Sequence, residues 1–514
     1  MRSPDRRRRA GVGTDDEPLS RPPLRSVTLR KPVTIPLVAG AATAAIATAG
    51  LLSDAHRRTH LRRSARVWRL TGRRGLSWAV LKVRGRAVSD EERARLEERF
   101  AIRTAEDVAR EVGNMKGAIM KAGQMVSFIA EGLPPEAKAA LATLQADVEP
   151  MAPSLAEGVV TAELGQPISK LFLDWDPVPV AAASIGQVHR AVMPDGRLVA
   201  VKVQYPGVDR AIRSDLDNAE LLYGLFSSMA LKSLDTKALV DELRARMGDE
   251  LDYRIEARYQ AEFADRYRGH PFIQVPDVVP ERSARRVLTS DWVDGERWDG
   301  FLAAADEAAR QRAGEVLFRF AQGSVHRYRV FNGDPHPGNY RFHPGGSVTF
   351  LDFGLVKRWK PDELEQLTPV LDPLLAHDVE GTVRTLVHAG FLAPDHGLDP
   401  ELVWQYVSNP YAPYLQEEFT FTREWTSKAL GRALDVSGPC AEVIKRLDMP
   451  PSFVILDRVV WGMAALLGRL EATGRWRGML DEYRTGGPPV TELGEAEARW
   501  RSVGRAGVRA GGGR

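Results

Sequence analysis

Two valine-rich segments between residues 186 and 205 carry the clearest strand pattern of the chain. The runs GQVHRAV and RLVAVKVQY partly alternate apolar and polar positions on either side of the turn sequence Pro194-Asp195-Gly196. Such runs around a glycine-containing turn predict a β-hairpin. Lys202 lies on its second strand among valines, where a lysine faces either solvent or a partner carboxylate.

A helical repeat follows the hairpin. Leucine or methionine recurs every four positions from Leu239 to Leu251, which predicts a helix over residues 236–262. This helix contains the sequence ELDYRIEA, and with it Glu250 and Glu256. Because six residues of a regular helix rotate by about 240°, one cation is not expected to meet both carboxylates.

Two further acids lie in loops near the middle of the chain. A strand over residues 285–295 and a helix over residues 301–328 are predicted before the stretch FNGDPHPGNYRF, which is too rich in glycine and proline for a regular element. Asp334 in that stretch lies eighteen positions before Asp352, which follows a short predicted strand in the sequence LDFG. A loop, a turn and one strand therefore suffice to bring the two acids together.

Residues 89–130, before the hairpin, are predicted to be helical. The segment SDEERARLEERF opens on a serine cap followed by acidic residues in the first turn. Further along, Gly123 interrupts the helical pattern in the sequence KAGQ, between Lys121 and Gln124. Glycine inside a helix costs about 1 kcal/mol relative to alanine, so it indicates a helix end or a close approach of the backbone to another group.

Composition restricts the classes of protein that need to be considered. A chain of 514 residues with 44% hydrophobic and 27% charged residues is expected to fold into two or three packed units. With 71 basic and 68 acidic side chains, its net charge of +3 gives no overall indication of nucleic-acid binding. The single cysteine, Cys440, excludes an intrachain disulfide and indicates a reducing, cytoplasmic compartment. We interpret this thiol as structural.

The first seventy residues differ from the rest in charge and hydropathy. Basic runs at residues 6–9 and 56–69 suit either an anionic membrane surface or a solvated, disordered tail. The uncharged segment 33–52 is long enough to cross a bilayer, but it consists mostly of Ala, Thr and Gly. It is therefore either a membrane helix, giving peripheral or single-pass association, or a buried helix. The later apolar run at 459–470 is short and predicts a core helix.

The order of the polar residues points to phosphoryl transfer. Lys202, a downstream glutamate, Asp334, Asn339 and Asp352 follow one another as in kinases. There a lysine binds the α- and β-phosphates, one Asp orients the acceptor, and an Asn and a second Asp provide oxygen ligands for Mg²⁺. No G-x-G-x-x-G precedes the lysine and no A-P-E follows the second Asp, so an ordinary protein kinase is excluded.

Six motifs resemble the signatures of the ABC1/UbiB/ADCK family of atypical, kinase-like proteins. They are KAGQ (121–124), AAASIGQVHRA (181–191), VAVKVQYPGV (199–208), ELDYRIEA (250–257), GDPHPGN (333–339) and LDFG (351–354). The resemblance covers roughly residues 100–470. The chain departs from the commonest form of the fifth motif, ADPHPGN, by having glycine at position 333.

The resemblance implies an α+β fold: a two-lobed, protein-kinase-like body with a helical N-terminal extension. It implies that an alanine-rich loop replaces the glycine-rich phosphate loop, and that Lys121 and Gln124 of the extension lie over the nucleotide. The loop residues are Ala181, Ala182, Ala183 and Ser184. We expect a basic disordered tail (1–30), a hydrophobic segment (31–54), the helical extension (55–150), an N-lobe (151–290), a C-lobe (291–475) and a flexible C-terminal tail (476–514).

The resemblance also assigns roles within the body. Lys202 is expected to pair with Glu250. Asp334 is expected to act at the transferred phosphoryl group, while Asn339 and Asp352 are expected to hold Mg²⁺. The implied cofactors are ATP and Mg²⁺.

Three functions follow from these motifs. The first is an atypical kinase or ATPase that regulates isoprenoid quinone or lipid metabolism, with a quinone, an isoprenoid lipid or an anionic membrane surface as partner. The second is a small-molecule phosphotransferase of the aminoglycoside/choline kinase type, whose stretch GD-x-HPGN is nearly shared; the motifs at 121–124 and 181–187 argue against it. The third is a nucleotide-dependent scaffold with little turnover.

Overall fold

The computed structural model describes residues 151–183, 185–209, 248, 251–435, 438–448 and 451–511. All of these belong to one compact unit. The predictions for the basic tail, for the segment 33–52, and for Lys121, Gln124, Ser184 and Glu250 lie outside these residues. None of the described helices combines the length and the apolar character needed to cross a bilayer.

Residues 153–291 contain an antiparallel sheet with helices beside it. The helices and strands of this region are α1 (Pro153–Leu164), α2 (Ile168–Leu171), β1 (Asp174–Trp175), β2 (Ala181–Ala183), β3 (Gly186–Val192), β4 (Leu198–Gln204), α3 (Tyr253–Arg266), β5 (Ile273–Gln274) and β6 (Val287–Asp291). All of these strands except β5 belong to the antiparallel sheet. The sheet runs β1-β3-β4-β6, with β2 also paired to β3. The predicted boundary between the lobes, at residues 290 and 291, falls at the end of β6.

The predicted hairpin is confirmed. β3 and β4 pair antiparallel from Gly186 opposite Gln204 to Val192 opposite Leu198. Alternation along β4 buries Val199, Val201 and Val203 completely, in a core shared with α1. Because successive side chains of a strand point to opposite faces, Lys202 projects from the other face of the sheet.

Helix α3 begins later than the leucine repeat predicted. Leu251 lies in a turn, and the side chain of Asp252 caps the helix by accepting a hydrogen bond from the backbone N–H of Arg254 at 3.1 Å. A capping aspartate satisfies one of the free N–H groups of a first turn. Glu256 therefore lies in the first turn of α3, and the 240° argument, which assumed that Glu250 and Glu256 share one continuous helix, does not apply because residues 251 and 252 are not helical.

The described residues from 298 onward form a mostly helical lobe. Its helices are α4 (Trp298–Ala304), α5 (Glu307–Gln322), α6 (Pro361–Leu375), α7 (Val379–His388), α8 (Pro400–Ser408), α9 (Arg423–Leu434), α10 (Ala441–Arg446), α11 (Pro451–Leu470), α12 (Trp476–Arg484) and α13 (Glu492–Gly511). Its strands are β7 (Val330–Asn332), β8 (Tyr340–Phe342), β9 (Val348–Phe350), β10 (Val356–Arg358), β11 (Phe419–Thr420) and β12 (Thr473–Gly474). β7 pairs with β10, and β9 lies between β5 and β8.

Two helix predictions in this lobe have different outcomes. The single helix predicted over 301–328 is wrong in detail, because Asp306 caps a second helix and separates α4 from α5. A π-helical turn, Gly323–Tyr328, then extends α5. The core helix predicted over 459–470 is confirmed within α11, where Leu466, Leu467 and Leu470 are buried.

The flexible tail predicted over 476–514 is corrected for residues 476–511, which form α12 and α13. The Arg319 side chain of α5 is fully buried, and its guanidinium lies 2.8 Å from Glu482 of α12. Arg327 contacts Glu497 of α13 at 2.7 Å. Trp500 donates a hydrogen bond to the carbonyl of Arg268 at 3.2 Å. Two of the acidic residues of this segment, Glu482 and Glu497, are therefore buried partners of arginines in the lobe.

Candidate active site

Lys202 is the centre of an ion-pair cluster between the two lobes. Its Nζ lies 2.8 Å and 3.0 Å from the two carboxylate oxygens of Glu256 on α3, and 3.2 Å from Oδ2 of Asp352. The lysine side chain is 14% exposed and that of Glu256 is 6% exposed. Sequence reasoning left a choice between solvent and a partner carboxylate, and the structure decides for the carboxylate.

The partner of Lys202 differs from the one expected. We expected Glu250, which lies outside the described residues, whereas the contact is made by Glu256. The cap at Asp252 explains the observed contact, because it puts Glu256 in the first turn of α3, from where its carboxylate reaches Lys202 on β4.

The charge of Lys202 is fixed by its surroundings. Burial alone would lower the pKa of the ammonium group, but Asp352 and Glu256 together raise the pKa of Lys202 well above its ordinary value. The side chain therefore remains a cation at physiological pH and can serve as a ligand for phosphate oxygens, but not as a base.

Asp334 lies in the loop after β7 and is 6% exposed. Its backbone N–H donates to Oδ1 of Asn332 at 2.9 Å, and the amide nitrogen of Asn332 donates to the carbonyl of Asp352 at 2.5 Å. Asn332 thus joins the two acidic loops. The two acidic segments do meet, but two paired strands, β8 and β9, lie between Asp334 and Asp352 where one strand was expected.

Asn339 ends a 3₁₀ turn, Pro337–Asn339, directly before β8. Its carbonyl accepts from the backbone N–H of Leu351 at 2.9 Å, and its amide nitrogen donates to Oδ2 of Asp334 at 3.3 Å. Asp352 accepts from the N–H of Gly354 at 2.9 Å through its other oxygen, Oδ1. The adjacent loops therefore contribute two carboxylates, Asp334 and Asp352, and two amides, Asn332 and Asn339, to the cluster.

Phe353 of the LDFG motif connects this loop to α3. The ring is fully buried, and its centroid lies 4.8 Å from that of Phe263. Phe263 is two turns beyond Glu256 on the same helix. Packing of the two rings therefore fixes α3 relative to the loop that carries Asp352.

The alanine-rich segment forms a hairpin tip beside β4. β2 pairs antiparallel with β3, and Ala183 stands opposite Gly186. A Cβ on Gly186 would lie 2.2 Å from the carbonyl oxygen of Val203, so only glycine allows β3 and β4 to approach this closely here. Alanine side chains carry no hydrogen-bonding groups, so any phosphate contact from Ala181, Ala182 or Ala183 comes from the backbone.

Two residues of the cluster were missed by sequence reasoning. Asn332 stands two positions before Asp334, in the stretch FNGDPHPGNYRF. Asparagine is common in turns, so its presence there did not indicate a role in the site. Arg458 of α11 donates through Nη2 to Oδ1 of Asp334 and through Nε to the carbonyl of Gly333 at 3.0 Å. It lies 124 positions from Asp334, so no spacing rule connects the two.

Comparison with known proteins agrees with this geometry. Residues 143–386 match the sequence model of the ABC1 atypical kinase-like domain. A solved structure from Mycobacterium tuberculosis, that of Rv3197 in complex with erythromycin, is 30% identical and superposes with a TM-score of 0.56 over 77% of this chain and 98% of that chain. This chain belongs to the ABC1 atypical kinase-like family.

Curated relatives of this chain come from a plant, a yeast and a cyanobacterium, Synechocystis. An uncharacterized aarF domain-containing protein kinase of the Arabidopsis thaliana chloroplast is 32% identical over 311 residues, 60% of this chain and 44% of the relative. The mitochondrial atypical kinase COQ8 of Saccharomyces cerevisiae is 30% identical over 287 residues, 55% of this chain and 57% of the relative. The chain thus spans about half the length of these relatives. The two-lobed, kinase-like fold is confirmed by the match to the family and to the solved structure.

Proposed function

We propose that this protein binds MgATP and acts as an atypical kinase or ATPase that regulates isoprenoid quinone or lipid metabolism. The observation that carries the proposal is the position of Lys202, whose Nζ lies within 3.2 Å of both Glu256 and Asp352. A kinase requires a lysine that is held by a glutamate of the neighbouring helix and lies next to the aspartate of its Asp-Phe-Gly triplet.

Lys202 binds the α- and β-phosphates of the nucleotide. Its ammonium group is already held by Glu256, so little conformational freedom is lost when a phosphate arrives. The phosphates of the nucleotide are anionic and therefore compete with Asp352 for the ammonium group of Lys202. The backbone of the Ala181–Ala183 hairpin covers the phosphates from the side of the N-lobe.

Asn339 and Asp352 suit a magnesium ion. Mg²⁺ prefers oxygen ligands and is usually held by one or two carboxylates together with substrate phosphates. The Asp352 side chain is 26% exposed and reachable from solvent. Among the described residues no three His, Cys, Asp or Glu side chains cluster as a preformed metal site, which fits an ion that arrives with its nucleotide. When bound, Mg²⁺ neutralises charge on the triphosphate.

Asp334 orients the acceptor oxygen, either a water molecule for hydrolysis or a hydroxyl group for transfer. Lys121 and Gln124 complete the site from the helical extension. The proposed connection to quinone or lipid metabolism rests on the resemblance to the UbiB and ADCK proteins. Among the relatives named above, the similarity to COQ8 supports it.

A second candidate is phosphoryl transfer to a small molecule. Two observations favour it: the stretch at 333–339 is nearly shared with aminoglycoside and choline kinases, and the M. tuberculosis relative was solved with erythromycin. Mass spectrometry after incubation with MgATP and erythromycin would detect a phosphorylated macrolide, and an unmodified macrolide would exclude this acceptor.

The first test is nucleotide binding by the full chain. MgATP is expected to raise the melting temperature of the wild type but not that of Lys202→Met or Asp352→Asn, while ATP with EDTA is expected to have a smaller effect. Equal stabilisation of Asp352→Asn and wild type would overturn the metal assignment. Quinone and lipid profiles of cells with and without the protein then test the pathway, and identical profiles would contradict it.

A further inference from the structure

We infer that Arg458 is a positioning residue of the phosphoryl-transfer site and that the loop 333–335 is fixed by packing against one face of α11. The inference rests on the proposed function, because the loop carries Asp334. Arg458 lies outside the motifs by which the site was found.

The contacts of Arg458 span a backbone group and a carboxylate of the same loop. Its Nε donates to the carbonyl of Gly333 at 3.0 Å, and its Nη2 donates to Oδ1 of Asp334. The side chains of Arg458 and Asp334 are only 12% and 7% exposed. A pair this far from water is screened little by salt, and a charge-assisted hydrogen bond of this kind has a fixed geometry.

The second oxygen of Asp334 is also held. The amide nitrogen of Asn339 lies 3.3 Å from Oδ2. With Arg458 on Oδ1 and Asn339 on Oδ2, the carboxylate is restrained from two sides. An orienting group needs this restraint, because a displacement of about 1 Å at a reacting centre can lower a rate on the order of a hundredfold.

Two neighbours of Arg458 on α11 approach the same loop closely. Ile455, Arg458 and Gly462 are spaced three and four residues apart and so share one face of the helix. A Cβ on Gly333 would lie 2.6 Å from Cγ2 of Ile455, and a Cβ on Gly462 would lie 2.4 Å from Cγ of Pro335. The glycines are therefore places where helix and loop are in direct contact, with the arginine between them.

The third guanidinium nitrogen points to a ligand. Within the described part of the chain, Nη1 of Arg458 is buried and has no hydrogen-bond acceptor. Buried donors are almost always paired, so an oxygen atom from a water molecule or a phosphate is expected there. This expectation agrees with a location at the phosphoryl site.

The experiment compares ATP hydrolysis and MgADP affinity of the wild type, Arg458→Met, Arg458→Lys and the control Arg469→Met on the same helix. Arg458→Met is expected to lower kcat by about tenfold or more and to change the dissociation constant of MgADP by less than about threefold, because orientation and ground-state binding are separate. Arg458→Lys is expected to recover part of kcat, since one ammonium group cannot reach both acceptors.

A second measurement does not depend on activity. Melting temperatures of Arg458→Met, Asp334→Asn and the double variant are expected to be non-additive, because residues in contact are coupled. If Arg458→Met does not fold, Arg458→Lys with Asp334→Asn gives the same comparison. A kcat of Arg458→Met equal to that of Arg469→Met, or additive melting temperatures, would overturn the inference alone. A wild type that neither binds MgADP nor hydrolyses ATP would overturn the proposed function with it.

Discussion

Gly333 lies so close to Ile455 that a methyl group on the glycine would stand 2.6 Å from the Cγ2 atom of the isoleucine. The commonest form of the family motif has alanine at this position. In this chain the glycine therefore leaves the space that the Ile455 side chain occupies. The change from alanine to glycine, which is mild in the sequence alone, is explained by this contact.

Gly333→Ala is expected to lower the free energy of unfolding by about 1–3 kcal/mol, because the added methyl overpacks the contact. The double variant Gly333→Ala with Ile455→Ala is expected to be more stable than the sum of the two single losses predicts. Urea unfolding of the wild type and the three variants measures this coupling. Additive losses would show that the methyl group is accommodated elsewhere.

Glu256→Gln is expected to lower the free energy of unfolding by about 1–3 kcal/mol and to weaken nucleotide binding, since it leaves a buried lysine with one carboxylate partner. Glu262→Gln is the matched control on the same helix, where the ion pair is partly exposed and contributes about 1 kcal/mol or less. Glu250→Gln separates the two glutamates of ELDYRIEA. A loss of nucleotide affinity in Glu250→Gln, with none in Glu256→Gln, would reverse the assignment.

Lys121→Ala is expected to change nucleotide affinity or ATP turnover several-fold while the protein stays folded, because the resemblance puts this lysine at the nucleotide. Gln124→Ala is expected to have a weaker effect of the same kind. A lysine without a functional contact would instead change stability by no more than about 0.5 kcal/mol and leave nucleotide chemistry alone. Lys116→Ala is the control, and identical behaviour of the two lysine variants would remove the extension from the active site.

Asp457 of α11 predicts a pH dependence of stability. Burial raises the pKa of Asp457 to about 7, and a hydrogen bond with Trp461 opposes the shift. Because the folded-state pKa of Asp457 lies above its unfolded value, the protonated carboxyl favours the folded state. This contribution to the free energy of unfolding is fully present below a pH of about 4 and is lost as the pH rises to about 7.

Asp457→Asn removes this loss and keeps an acceptor for Trp461. Its stability relative to wild type is therefore expected to increase between pH 4 and pH 7 and to stay constant above. Unfolding curves at several pH values, with the exposed Glu418→Gln as control, check this. A difference between variant and wild type that does not vary with pH would contradict the assignment.

The parts of the site that local sequence rules could predict are the hairpin, the position of Lys202 and the meeting of the two acidic loops. Valine alternation and a turn signal act over a few residues, and the distance from Asp334 to Asp352 is short along the chain. The contact of Glu256 with Lys202 could not be predicted, because it depends on a single capping residue, Asp252, which sets where α3 begins. A repeat of leucines does not reveal such a cap.

The parts of the fold and the site that the sequence could not predict depend on long-range polar contacts. Arg458 reaches Asp334 across 124 positions, and Arg319 reaches Glu482 across 163. In both cases a charged residue lies in the interior because its partner arrives from a distant segment. Hydropathy assigns such residues to the surface, so the sequence gives no sign that the segment beyond residue 475 packs onto the lobe.

The pairing of Arg319 with Glu482, and of Arg327 with Glu497, also sets where the folding unit ends. A premature stop codon shortly after residue 470 would spare all six family motifs and still remove the carboxylates of Glu482 and Glu497 that these two arginines contact. Removing one partner of a buried ion pair typically costs about 3–5 kcal/mol, a large share of the stability of an ordinary domain, although Arg319 would keep its contact with Glu315 at 2.7 Å. Such a truncated gene product would also lose Trp476, Met479 and Leu480 from the main core, so we expect it to be less stable than the full chain.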